Sequence, residues 1–221
     1  LRAAFLVPAR KLDLQGYDFS YADISDLYSC NLIAAKFDNI RTEACLIHCI
    51  MNNASFQNAR MRGSRMDKSD IQEACFKEAD LRQAKFTNTN LRGSSFENAT
   101  CNETSFYGAN LIGCNFKGAD LTGAFFSGAI MDKSTDFRGA NLMNACFEEH
   151  RDYAGNLLAK GVDPRSALYD QHTVFGTNPG WFDLEQIQDM RYSSGGLREG
   201  MLYQLAEDHS VNGETAALHF I

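Results

Sequence analysis

The sequence predicts an all-β solenoid, a four-sided β-helix filled by its own side chains. Three observations carry that prediction. Apolar residues recur at every fifth position through the middle of the chain. A small residue precedes each of them by two positions. From Phe76 to Phe126, phenylalanine takes every second apolar position.

The period of five excludes the two ordinary elements. Residues 109–129 read ANLIGCNFKGADLTGAFFSGA, and each unit opens on a small residue with Leu or Phe third. On an α-helix, residues five apart differ by about 140° in direction, so such a pattern makes no face. A long strand alternates with period two and fails as well. A short extended piece that points two residues inward and then turns a corner satisfies the pattern. Four such sides close a square coil, and successive coils stack as short parallel strands.

The columns can be read along the chain. In steps of five from Leu46 to Met131, all eighteen centre positions are apolar. Their eighteen partners two residues earlier, from Ala44 to Ala129, are all Ala, Ser, Thr or Cys. The small residue fits the crowded corner and the large one fills the axis. With four sides per coil, a residue stacks on the one twenty positions later. Phe76–Phe96–Phe116 and Phe86–Phe106–Phe126 are therefore expected as ladders on opposite walls. Leu81–Cys101–Leu121 and Leu91–Leu111–Met131 fill the other two. Full burial of each Phe or Leu contributes about 1.5–3 kcal/mol, so the ladders carry most of the stability.

The units resemble the pentapeptide repeat family, built from tandem A-(D/N)-L-x-x units. The matching triplets are 79–81, 109–111, 119–121 and 140–142, with Ala-Asp-Ile at 22–24. The resemblance spans residues 12–147 and implies a right-handed quadrilateral β-helix. It says almost nothing about function.

The count of five breaks three times. Ile24 to Leu32 is eight residues and Phe37 to Leu46 is nine, which places surface loops near Asp26–Ser29 and Asn39–Thr42. Met131 to Phe137 is six, so one residue is inserted in the DKST stretch. Residues 1–11 are expected to cover the first coil. The chain begins with Leu1, which reads as a processed or trimmed start with any targeting peptide upstream.

After Phe147 the period ends. EEHRDYAGNLLAK, followed by Gly161, reads as a helix with a C′ glycine, and Asp163-Pro164 opens a second helix. Residues 148–194 are assigned as a helical and irregular cap over the last open coil. Residues 195–221 are assigned as an acidic tail that a partner orders. ALYDQHTVF and WFD resemble the segment that follows the repeats in cyanobacterial and plastid members of the family.

Charge divides the chain. Residues 1–147 hold 16 basic and 16 acidic residues, whereas 148–221 hold 5 and 12, so the net −7 lies wholly in the C-terminal part. Some members of the family mimic a DNA duplex and protect type II topoisomerases such as gyrase, a role that requires a negative rod. Arg60, Arg62, Arg65, Lys68, Lys77, Arg82, Lys85 and Arg92 are interleaved with acids and argue against it. A nucleic-acid binder would show a basic stripe, which is absent too.

Chemistry is sparse. Cys30, Cys49 and Cys114 fall in the small inward column and Cys101 in the centre column; Cys45, Cys75 and Cys146 face outward. A fixed coil of twenty stacks no two cysteines on adjacent coils, so no disulfide ladder is expected. CLIHC at 45–49 has the spacing of a metal pair, but Cys49 points inward while Cys45 and His48 point out. The five histidines show no metal spacing, and no phosphate loop, GxSxG or GxGxxG is present. No catalytic, cofactor or metal residue is assigned. Trp181 and Phe182, with Tyr192 and Tyr203, are the candidate interaction residues; packing onto the last coil is the alternative for the first two.

By elimination the expected function is a non-catalytic scaffold or accessory subunit that contacts proteins in a larger assembly. The resemblance of the post-repeat segment implies a cyanobacterial or plastid setting, with a photosynthetic thylakoid complex as the expected assembly. The alternatives are a gyrase-protecting duplex mimic and an enzyme housed in residues 148–221.

Overall fold

The computed structural model describes residues 12–24, 26–147 and Ala167. The expected N-terminal cap, nearly all of the helical cap and the whole tail lie outside the described residues.

Residues 12–24 and 26–147 form a four-sided coil held by parallel bridges between successive turns of the chain, from Asp13 with Asn31 to Phe125 with Cys146. Each side is one unit. The centre residue points inward and donates its N–H to a carbonyl of the coil that follows, as Phe56 does to Cys75 at 2.7 Å. The chain then turns, and the N–H three residues on returns to the centre carbonyl, as from Ala59 to Phe56 at 3.1 Å. The residue two past the centre takes a positive φ, which marks a type II turn. Asn58, Asn98 and Gly118 hold that place at φ 56°, 56° and 68°. Gly and Asn tolerate it best, yet Lys68, Glu73, Glu78, Gln83 and Glu103 also adopt it.

The core is continuous. One Phe ladder runs Phe19, Phe37, Phe56, Phe76, Phe96, Phe116, Phe137, with stacked rings 4.7–5.1 Å apart. A second runs Phe86, Phe106, Phe126, Phe147 at 4.5–5.4 Å. The two meet edge to face along the axis, as between Phe76 and Phe86 at 5.5 Å and 83°. Both expected ladders are present and extend further than the periodicity indicated. Ala167 is buried and belongs to the same apolar cluster.

Polar residues in the small column are satisfied internally. The hydroxyls of Ser69, Thr89, Ser94 and Thr104 donate to the carbonyls of Leu46, Met66, Ile71 and Leu81 at 2.6–2.9 Å. A buried hydroxyl without such an acceptor would be costly.

The two expected loops are not loops. Bridged residues are 18 apart in the first coil, as in Asp18 with Lys36, and 19 apart in the next, as in Lys36 with Ser55. They are 20 apart through the middle and 21 from Asn115 with Asp136 onward. The early breaks are therefore deletions. Leu27 takes the wall position of Leu46, since its N–H bonds to Cys45 as that of Leu46 bonds to Arg65. Thr42 takes the position of Met61, its N–H bonding to Arg60. Nine residues from Phe37 to Leu46 are thus a unit of five and a unit of four. The unit of four lacks the left-handed corner residue. The late break is the expected insertion: Thr135 N–H closes its turn on Asp132, one residue past the centre Met131.

The shorter coil also corrects the cysteine reading. Cys30 and Cys49 are 19 apart and stack in one column, because the bridge beside them joins Asn31 to Ile50. Both remain free thiols.

Candidate functional site

The Phe ladders fill the interior of the coil, so the site must be sought on the outer surface. The CLIHC residues do not converge. Cys49 is buried, Cys45 is half-buried and His48 is exposed at a left-handed corner, φ 58°. Among the described residues no group of three His, Cys, Asp or Glu is placed to hold a metal. Burial pushes the Cys49 thiol up to about 11 and the Cys101 and Cys114 thiols higher still, so these are packing residues, not nucleophiles. No helix among the described residues is long and apolar enough to cross a membrane.

The outward residues form columns up the walls, and the columns are mixed. One reads Asp23, Arg41, Arg60, Asp80, Thr100, Asp120, Asn141; another reads Asp38, Gln57, Lys77, Glu97, Lys117, Arg138. Several of the wall charges are partnered. Arg82 holds Asp80 at 2.5 Å, Arg138 holds Asp136 at 2.7 Å, and Lys77 reaches Glu97 at 3.9 Å. Arg65 holds the buried Asp67 at 2.8 Å, and the Thr87 N–H donates to the same carboxylate. The hydrogen bond from Tyr28 to Asp26 pushes the phenol up to about 12.

The early coils carry a concave feature. A groove of about 570 Å³ lies between a row of corner residues, Tyr21, Asn39 and Asn58, and a row of wall residues, Asp23, Arg41 and Arg60. The rows are in register because Arg41 bridges Arg60. Tyr21, Asn39 and Asn58 are all left-handed corner residues, at φ 61°, 58° and 56°; Tyr21 and Asn58 are exposed and Asn39 is half-buried. Tyr21 is 79% exposed. Arg41 and Arg60 stand one coil apart, and neither forms an ion pair among the described residues.

The sequence did not single out this groove, since Arg41 and Arg60 are neighbours only in a coil of nineteen. The interaction residues it did single out, Trp181, Phe182, Tyr192 and Tyr203, lie outside the described residues and are not brought together by anything described.

The comparisons with known proteins agree with the coil. Residues 23–106 and 49–126 match the family described as "Pentapeptide repeat region", and residues 109–148 match "Pentapeptide repeats (8 copies)". No curated protein matches the chain. A trypsin-treated variant of QnrB1, a plasmid-mediated fluoroquinolone resistance protein, is similar at 23% identity and TM-score 0.56, covering 73% of this chain and 84% of that one. HetL, involved in heterocyst differentiation regulation in the cyanobacterium Nostoc sp. strain PCC 7120, matches at 20% identity and TM-score 0.32, covering 73% and 71%. A pentapeptide repeat protein from the Arabidopsis thaliana thylakoid lumen matches at 25% identity and TM-score 0.18, covering 67% and 86%.

Proposed function

We propose that this chain, which belongs to the pentapeptide repeat family, is a non-catalytic scaffold or accessory subunit that makes protein–protein contacts in a larger assembly. One observation carries the reading. The coil is packed solid by two Phe ladders, which leaves its chemistry to outward columns of mixed charge and to a surface groove. A rigid rod of this kind presents residues at fixed spacing and does not enclose a reactant. The acidic C-terminal part, with Trp181, Phe182, Tyr192 and Tyr203, adds further contacts. A photosynthetic thylakoid complex is the proposed setting, on the resemblance of residues 167–175 and 181–183 noted above.

Duplex mimicry is the weaker reading. It requires an unbroken acidic strip, and both columns described above alternate acids with Arg, Lys and neutral residues.

The test is native-gel migration of the endogenous protein, with mass spectrometry of what co-migrates. Co-migration with a large complex supports a subunit role and names its partners. Migration as a small free species overturns it, and gyrase protection becomes the next assay.

A further inference from the structure

We propose that the groove between Tyr21, Asn39, Asn58 and Asp23, Arg41, Arg60 binds a carboxylate-rich segment of a partner polypeptide. The inference rests on the scaffold reading and names the partner chemistry for one of its surfaces.

The argument begins with charge. Arg41 and Arg60 occupy adjacent rungs of one parallel ladder. Neighbouring strands lie about 4.8 Å apart, and like charges placed directly opposite each other are unfavourable. Where like charges stack elsewhere on the rod, one member of the pair holds a carboxylate: Arg65, bridged to Lys85, holds Asp67, Arg82, one coil after Arg62, holds Asp80, and Arg138, one coil after Lys117, holds Asp136. Arg62 hydrogen-bonds Gln83. Arg41 and Arg60 make no side-chain hydrogen bond or ion pair to a described residue, although both line the groove. Two guanidinium groups side by side in a groove, uncommitted to any described carboxylate, await an anion.

The rest of the lining selects which anion. Asn39 and Asn58 line the same groove, each two residues before an arginine, and offer amide donors there. A carboxylate on each rung can then take bonds from an arginine and an asparagine together. Tyr21 offers an exposed ring against which an aliphatic stem packs. Asp23 closes one end, and Asp80 follows Arg60 at the other. The positive strip is thus two residues long. That length suits two acidic side chains of an extended peptide, whereas a nucleic-acid backbone needs a longer basic track.

The experiment titrates the full chain into a fluorescein-labelled octapeptide of glutamate and reads anisotropy, with an octapeptide of lysine as control. Wild type is expected to bind the glutamate peptide only, with affinity falling as salt rises. The double variant Arg41→Glu/Arg60→Glu is expected to lose about tenfold or more in affinity, as removing close charge pairs does at interfaces. Arg92→Glu, on another wall, is expected to retain it. Arg41→Gln/Arg60→Gln repeats the test without introducing charge, and the far-ultraviolet spectrum confirms the coil in each variant. Equal binding by wild type and both double variants overturns the proposal. So does binding of inorganic phosphate or an oligonucleotide in preference to the glutamate peptide, or self-association that the double variants abolish. In source-cell extracts, an unchanged partner set with the double variant sinks the groove but keeps the scaffold reading. A wild type with no partner at all sinks the scaffold reading itself.

Discussion

The Thr42 hydroxyl accepts the backbone N–H of Ala44 at 3.1 Å and donates to the Ile24 carbonyl of the preceding coil at 3.0 Å. In a five-residue unit the turn closes on a backbone carbonyl. In this four-residue unit the corner residue is missing, and a side chain supplies the acceptor in its place. Thr42→Val keeps the shape and removes both bonds. It is expected to destabilise the chain by about 1–3 kcal/mol, read as a lower urea midpoint, while Thr42→Ser retains most of the stability.

Phe96 stacks on Phe76 and Phe116 at 4.8 and 4.9 Å and meets Phe86 and Phe106 by its edges at 5.8 and 5.5 Å. It is fully buried within the longer ladder. Phe96→Ala is expected to cost about 3–5 kcal/mol, and Phe96→Leu clearly less. Equal urea midpoints for the two variants would show that stacking and volume do not set the loss.

Glu78 sits at a left-handed corner, φ 59°, in a column between Asn58 and Asn98. Glutamate is strained there and asparagine is not. Glu78→Asn is therefore expected to raise stability by about 1 kcal/mol, seen as a higher thermal midpoint. An unchanged or lower midpoint would count against that strain.

The Arg82 guanidinium holds the Asp80 carboxyl below its ordinary 3.8, and Arg138 does the same for Asp136. Each carboxyl releases its proton more readily folded than unfolded. The stability it adds is complete above the ordinary value and is lost as pH falls through the lower folded value. The thermal midpoint of Asp136→Asn should lie below that of wild type at neutral pH, and the gap should close in acid.

Seven cysteines give a simple count. Cys30, Cys49, Cys101 and Cys114 are buried, while Cys45, Cys75 and Cys146 are half-buried. A thiol reagent is expected to label three sites rapidly in the native chain and seven in urea, with peptide mapping to name them. Rapid native labelling of Cys101 would contradict the packed core.

The columns from Leu46 to Met131 were legible in the sequence because every unit there has five residues. Phe76, Phe96 and Phe116 could be stacked from spacing alone. Phe37 and Phe56 could not, because nineteen residues separate them and the missing corner left no mark. Thr42 hid the break further, being polar in an apolar column, and Leu27 sat where the count expected a loop. The same nineteen-residue coil concealed the stacking of Cys30 on Cys49 and of Arg41 on Arg60 in adjacent coils. The groove was therefore invisible for the reason that the early ladder was.

Units of four and six residues among those of five have a broader consequence. In an ordinary strand, losing one residue inverts every side chain that follows. Here the loss before Leu46 is absorbed at a corner, and the next wall resumes with the same residue facing in. Genetic deletions and insertions in this chain thus act as punctuation and do not shift the frame. A lineage can lengthen, shorten or resculpt the rod one corner at a time while each remaining unit keeps its meaning.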